Sequence, residues 1–401
     1  MKFVHSSDWH LSTLTWKHRV TLTGDSLYSL SQLVDFCIAN GCPLVAAGDL
    51  FDSESPDSGA VAAMCRQMDR MQAQGLPVYY TQGQHERRYP PWMSVHQHPQ
   101  HVHRSAFQVG GMHFYGLDWM AGAEVQGEFA KIPEATDALV CHQVWSEHMG
   151  LLTNPECSVR DVPHARYILT GDYHQHQVAT HDTPRGPVTM LSAGSMSMRN
   201  LAEPQEKLFW FCFDGGRDRM GRLQMQYRSV RLKTRPCAKV TVKSLDQLDS
   251  LVGYVQSLSD MAQLPPEISK PLCEVSYPAE FADAYRKIHS ALEGKAHLWL
   301  RQVEETKEDL IRFNTVIDSS KVVDATLSGC LDALVESDSV IKSDTLLLLE
   351  SPQPASTVLE EIVQRWGADI DAGHKCENGE LVPAPGAGNG VVSGGDSVPG
   401  A

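Results

Sequence analysis

No two of the ten cysteines are spaced as CxxC, which argues against a zinc site or a planned disulfide framework. Free thiols in a reducing compartment are expected instead, and with them a cytoplasmic protein. Near Met1 there is no apolar stretch of signal-peptide length. The tightest apolar run toward the other end, residues 346–349, is far too short to span a bilayer, so no membrane role is expected. Positive charge is also scarce, with 34 Lys and Arg against 49 Asp and Glu for a net charge of −15. Such a balance disfavours a uniformly nucleic-acid-binding surface, since phosphate contacts require Lys and Arg. The deficit is local, however. Residues 318–401 hold 14 acidic and 4 basic residues, which leaves about −5 for residues 1–317 and room for a basic groove there.

What is present fits a large soluble protein. Hydrophobic residues make up 42% and charged residues 21%, ample for an extensive core, and 401 residues suggest two domains or a domain with appendages. There are no internal repeats. Up to about residue 230, short apolar runs alternate with amphipathic helices, the pattern of an α/β layer structure. Strands are expected at 2–5, 43–47, 77–81, 138–141, 167–170 and 207–213, helices at 27–40 and 58–74, and a turn at Asp214-Gly215-Gly216. A small α/β unit follows Pro236, with strands at 238–243, 272–277 and 297–303 and helices at 245–261 and 279–293. Two helices are expected at 321–336 and 357–366, and a disordered Gly- and Pro-rich tail from about 373.

Five of the apolar runs end in polar side chains suited to hard or borderline metals: Asp8 and His10, then Asp49, then Gln84 and His85, then His142, then Asp172, His174 and His176. In open α/β sheets ligands bind beyond the carboxyl ends of the strands, so these endings can converge. Gly48, Gly83 and Gly171 precede three of the candidates and are expected to permit tight turns. Asp, His and amide ligands without thiolate favour manganese or magnesium. Two such cations about 3.5–4 Å apart clamp a phosphate and make hydroxide available near neutral pH. Asp49, central in the ligand order, is the natural bridging carboxylate.

The segments Ser-Ser-Asp8-Trp-His10, Gly48-Asp49-Leu-Phe-Asp52, Gly83-Gln84-His85-Glu86, His142-Gln143 and Gly171-Asp172-Tyr-His174 resemble the successive motifs of calcineurin-like metallophosphoesterases. Within that superfamily they most resemble the SbcD nuclease subunit, with further matches at His113-Phe-Tyr-Gly-Leu and Ser192-Ala-Gly-Ser195. The resemblance implies a four-layer αββα metallophosphoesterase sandwich over residues 1–232 and a small α/β capping domain over 233–310. A helical partner-docking region would follow at 311–372 and a disordered tail at 373–401. It also implies two divalent metal ions, Mn2+ or Mg2+, cleavage of DNA ends, a homodimer, and an SMC-like coiled-coil ATPase as partner.

Carried over by position, one ion would take Asp8, His10, Asp49 and His174, and the other Asp49, Gln84, His142 and Asp172. His85 would protonate or stabilise the leaving 3′ oxygen, or else only orient Asp8 or Asp49. Two positions depart from the family pattern, which has Asn where Gln84 stands and His where Asp172 stands. Sliding the register by two residues makes His174 and His176 the ligand pair instead. Arg87 and Arg88 are placed to hold a phosphate backbone or to be plain exposed loop arginines. The stretch from Arg217 to Arg235 could line a DNA path or be a solvated strand face. His96, His98, His101 and His103 look like a metal cluster but lack strand-end positions.

Overall fold

The computed structural model describes residues 1–15, 22–148, 155–278 and 283–303. The described residues belong to one compact unit. The helices expected at 321–336 and 357–366 and the tail from 373 lie outside the described residues.

Two six-stranded sheets make the middle of this unit. One runs in the order Leu223–Leu232, Lys207–Arg217, Lys2–Ser6, Leu44–Ala47, Val78–Thr81, Gln100–His101. The other runs Gln177–Thr183, Gly186–Ser192, Tyr167–Gly171, Ala138–His142, Met112–Leu117, Ser105–Val109. The five motif-bearing strands are all parallel to their neighbours within these sheets, apart from the antiparallel pairing of Lys2–Ser6 with Lys207–Arg217. Their observed bounds fall within one residue of those read from the sequence.

The central strands are apolar on both sides because both sides are covered, as parallel strands require. Phe3, Val45 and Ala47 meet Phe114, Val140 and Leu169 between the sheets. On alternate positions, Val4, Leu44 and Ala46 pack under helices Asp25–Asn40 and Ser58–Ala73 through Leu30, Leu33, Met64 and Met68. Across the second sheet, Leu139, Cys141 and Ile168 pack against Val125 and Phe129 of helix Gly122–Phe129 and against Trp145. The result is a four-layer αββα sandwich. Helix Ser58–Ala73 starts where it does because the Asp57 carboxylate accepts from the Ala60 N–H at 2.8 Å.

One expected turn is displaced. Asp214-Gly215-Gly216 is an irregularity inside the strand Lys207–Arg217, which keeps pairing with Leu223–Leu232 up to Arg217 opposite Leu223. The chain reverses four residues later, where the Asp218 carboxylate accepts from the N–H groups of Met220 and Arg222 at 2.9 Å and Gly221 takes φ 78°. Two aspartate-based turn motifs compete, and the one that prolongs the ladder wins.

Residues 237–303 form a smaller parallel sheet, Cys237–Thr241, Leu272–Pro278, His297–Val303, with helices Leu248–Ala262 and Ala284–Leu292 against it and its own core around Val255, Cys273, Val275 and Ile288. The helix expected from 245 opens as a 3-10 turn, Leu245–Gln247. The one expected from 279 begins at Ala284, with 279–282 outside the described residues. Arg235 clamps this sheet to the sandwich. It is buried, and it donates to both Asp25 oxygens at 2.8 and 3.0 Å and to the carbonyls of Thr23, Glu267 and Lys270. Its guanidinium is therefore unavailable to a ligand, which removes it from any DNA path.

Among the described residues, no helix is long and apolar enough to cross a membrane.

Candidate metal centre

The parallel strands carry their carboxyl ends to one edge of the sandwich, and the loops that follow them fold over each other there. Six non-glycine residues among those described have positive φ, and four are predicted site residues: Asp8 (49°), His10 (45°), Asp49 (50°) and Asp172 (73°). A left-handed conformation costs an L-residue about 1–2 kcal/mol, and it persists only where surrounding contacts fix it. Here Asp8 N–H donates to Gly48 O at 3.0 Å and His10 N–H to Asp49 O at 2.9 Å, so the first two loops hold each other. Two of the three glycines serve a different end from the one expected of them. Only Gly48 needs positive φ, at 76°. A side chain at Gly83 would overlap Asp49, and one at Gly171 would overlap His142 and the Ala47 carbonyl. These two positions need space rather than turn freedom.

The predicted side chains come together. Asp49 Oδ2 lies 3.4 Å from His142 Nε2 and 3.8 Å from His10 Nε2. Asp8 Oδ1 lies 3.9 Å from His10 Nε2, 3.7 Å from His174 Nε2 and 4.0 Å from His142 Nε2. Asp172 Oδ1 is 3.8 Å from His142 Nε2 and accepts a hydrogen bond from the Gln84 amide. Two overlapping sets of possible ligands follow, Asp8 with His10 and His174, and Asp8 with Asp49 and His142. A third set, His10 with Asp52 and His85, was not foreseen, because Asp52 was read only as part of a motif. Its carboxylate pairs with Arg199, another residue the sequence gave no reason to single out.

The donors fit divalent cations. His142 donates its Nδ1–H to the Ala47 carbonyl at 2.8 Å, which turns the Nε2 lone pair toward the carboxylates, and that buried atom has no hydrogen-bond partner. His174 gives its Nδ1–H to Glu203 at 3.0 Å and faces His10 across 3.2 Å with Nε2. Gln84 Oε1 is likewise buried without a partner. This is the tautomer pattern of metal-bound imidazoles, with the second nitrogen held by a carbonyl or carboxylate. Electrostatics point the same way. Burial would depress His142, yet Asp49, Asp8 and Asp172 outweigh it and hold the imidazole well above its usual range. Burial raises Asp8, against the pull of His142 and His174. Burial also pushes Asp49 up, but His142 and His10 overcome it and keep the carboxylate below its usual range. A cation would take over the role of the proton on His142, so metal uptake should release protons.

Two supports lie outside any sequence signal. Glu203 accepts from His174 and from Lys207 Nζ at 2.7 Å, and Lys207 also donates to Ser195 Oγ at 2.7 Å. Its two cationic partners hold Glu203 down at about 2 although burial opposes them. Glu86, visible in the sequence only as a motif letter, is buried and ties the third loop to the second by accepting from Gly83 N–H at 3.0 Å and Phe51 N–H at 3.2 Å. Burial, then the charge on Asp49, raises it to about 8.

His85 sits differently from the buried residues. Its side chain is 40% exposed, its Nδ1–H donates to the Asp52 carbonyl at 3.2 Å, and Nε2 lies 3.8 Å from Asp49 Oδ2. Arg87 and Arg88 are exposed just beyond it, over the rings of Trp119 and Trp92. His176 points away, with Nδ1 on Ala193 O at 2.9 Å, Nε2 on Ser229 Oγ at 2.8 Å and its ring stacked on Trp210. The register that pairs His174 with His176 is thus not the one the fold brings to the centre. The other histidines find partners of their own: His96 pairs with Asp69 and His98 with Leu76 O, while His101 and His103 stack and share Asp118.

Residues 1–177 match the family described as calcineurin-like phosphoesterase. This stretch is a calcineurin-like metallophosphoesterase domain. All of the gathered candidates from Asp8 to His174 fall inside it, whereas Glu203 and Lys207 come from beyond. A curated relative, an uncharacterized metallophosphoesterase, YhaO, of Bacillus subtilis, is 22% identical over 242 residues, which cover 52% of this chain and 56% of the relative. The chain thus spans about half the length of that protein. Among solved structures, an archaeal phosphodiesterase aligns with 10% identity over 58% of this chain and 100% of its own, at a TM-score of 0.32. A zinc-bound Vps29 of Entamoeba histolytica aligns with 10% identity over 58% and 99%, at 0.29.

Gln84 and Asp172, the two positions expected to depart from the resembled pattern, touch directly. Residues in contact couple energetically, typically by about 0.5–3 kcal/mol. Gln84→Asn alone or Asp172→His alone should therefore lower manganese-dependent turnover, and the double change should recover part of the loss. Turnover of the wild type, both singles and the double decides it. Simply additive losses would mean that the pair does not serve one cation.

Proposed function

We propose that this chain is a two-metal DNA nuclease. It would hydrolyse phosphodiester bonds at DNA ends as a homodimer, together with an SMC-like coiled-coil ATPase. The observation that carries the reading is the open side of the metal centre. In a chain of net charge −15, two exposed guanidinium groups, Arg87 and Arg88, stand two and three residues after His85, and among the described residues no carboxylate pairs with either. A small phosphate ester needs no such flanking charge, whereas a polynucleotide presents phosphates on both sides of the scissile bond.

Two divalent cations bound among Asp8, His10, Asp49, Gln84, His142, Asp172 and His174 would neutralise the phosphate and acidify an attacking water. The chain's own groups do the rest. The Asp52 carbonyl can only accept, so His85 Nδ1 keeps its proton, and the ring offers Nε2–H as the acid when it is an imidazolium. The proton passes from Nε2 to the leaving 3′ oxygen while Arg87 and Arg88 hold the neighbouring phosphates.

The test compares manganese-dependent cleavage of end-labelled DNA with hydrolysis of bis-p-nitrophenyl phosphate. Wild-type protein is expected to cut both. Replacing Arg87 and Arg88 together by Ala should reduce DNA cleavage at least about tenfold more than it reduces hydrolysis of the small diester, as expected when two charged hydrogen bonds are lost. Hydrolysis of the small diester with no DNA cleavage would select a small-substrate phosphodiesterase instead.

A further inference from the structure

We infer that Tyr89 is a stacking platform for an unpaired base, and that the substrate enters this site as single-stranded or frayed DNA. The inference rests on the nuclease reading above and narrows its substrate class.

Tyr89 is 91% exposed, well beyond every other exposed large apolar side chain of the described residues. It makes no hydrogen bond or ring contact there. Its exposure is not that of a loose loop tip. On one side, buried Gln82 donates its side-chain amide to the carbonyls of Glu86 at 3.0 Å and Arg88 at 3.1 Å. Gln82 is itself held through its backbone N–H by Asp118 at 2.8 Å. On the other side, Trp92 Nε1–H donates to the Glu54 carbonyl at 2.8 Å, at the start of the short helical turn Trp92–Val95. The backbone that carries the ring is thus anchored on both sides, so stacking has to order only the side chain and not the loop.

The neighbours suit a nucleotide strand. The Arg88 guanidinium lies 4.7 Å from the Trp92 ring centre and that of Arg87 lies 5.2 Å from Trp119. Flat π surfaces alternate with positive charge, the combination that binds single strands through base stacking and phosphate contacts. Inside a paired duplex such a ring finds no base face, because the stacked pairs offer only their edges in the grooves. Tyr89 is four residues from His85, so the backbone between them reaches at most about 14 Å. The stacked base would therefore lie within a short nucleotide span of the scissile bond.

The experiment measures kcat and KM with manganese on a 5′-labelled oligothymidine strand and on a blunt duplex closed by a hairpin at its far end. Wild type, Tyr89→Phe and Tyr89→Ala are compared, with thermal melting as the check on folding. A stack that binds ground state and transition state alike appears in KM rather than kcat. Tyr89→Ala should raise KM for the single strand about tenfold or more, with less than about a twofold change on the blunt duplex, and Tyr89→Phe should behave as wild type. Equal effects of Tyr89→Ala on the two DNAs, or none on either, would overturn the inference while leaving the nuclease reading intact. Wild-type protein that cuts neither DNA would overturn both.

Discussion

Asp49→Ala is expected to reduce phosphodiester hydrolysis to background, by at least about 10³-fold, because loss of a metal-assisted path removes several kcal/mol of transition-state stabilisation. The size of the effect follows from position. One Asp49 oxygen lies among His142, His10 and His85, and the other accepts the backbone N–H of His85 at 3.0 Å. The substitution would remove the carboxylate that both cations would share and would also release the loop carrying Gln84 and His85. His10→Ala takes away one ligand of one ion and should cost less. The folded protein should survive either change. Removing Asp49 costs His142 and His10 their carboxylate partner and eases the repulsion on Asp8, effects of opposite sign, and the left-handed backbone at this position costs Ala only about 1–2 kcal/mol. Turnover of bis-p-nitrophenyl phosphate checks it. Asp49→Ala protein with wild-type turnover would end the two-metal account.

His85→Asn should behave in the opposite way with respect to metal. The ring is the most exposed of the gathered histidines, and its Nδ1–H is already committed to the Asp52 carbonyl. An Asn side chain can still donate to that carbonyl but cannot deliver a proton to a leaving oxygen. Turnover on DNA should fall about 10²–10⁴-fold, the usual contribution of a general acid, while bound manganese stays unchanged. The loss should shrink for a substrate whose leaving group is a good one, such as p-nitrophenolate, because little protonation is needed there. Metal lost in step with activity would make His85 a ligand of the third cluster, with His10 and Asp52.

These two expectations draw on different depths of the sequence. The strands at 2–6, 44–47, 78–81, 138–142 and 167–171 were legible because burial on both faces leaves unbroken apolar runs, and each run stops where a polar side chain must leave the core. Asp8, Asp49, His142 and Asp172 were legible for the same reason, since parallel strands carry their ends to one edge. What was not legible depends on which loop lands on which. Glu203 and Lys207 lie in and after a loop with no motif, and only the fold reveals that they hold the back of His174. The choice between His174 and His176 turns on the strand Gln177–Thr183, which draws His176 onto Trp210 and Ser229. Arg235 read as one more basic residue in a series, and its burial follows from an aspartate 210 positions away. Gly83 and Gly171 were legible as glycines, but the reason for them is a side chain from another motif.

The most direct test of the central claim is a count of manganese ions bound per chain, by calorimetric titration and by elemental analysis after dialysis, in wild-type and Asp49→Ala protein. A pair of cations bridged by Asp49 predicts two ions per wild-type chain and loss of both in the variant, with His10→Ala retaining at least one. A single ion in the wild type, or an Asp49→Ala protein that keeps two, would contradict the account.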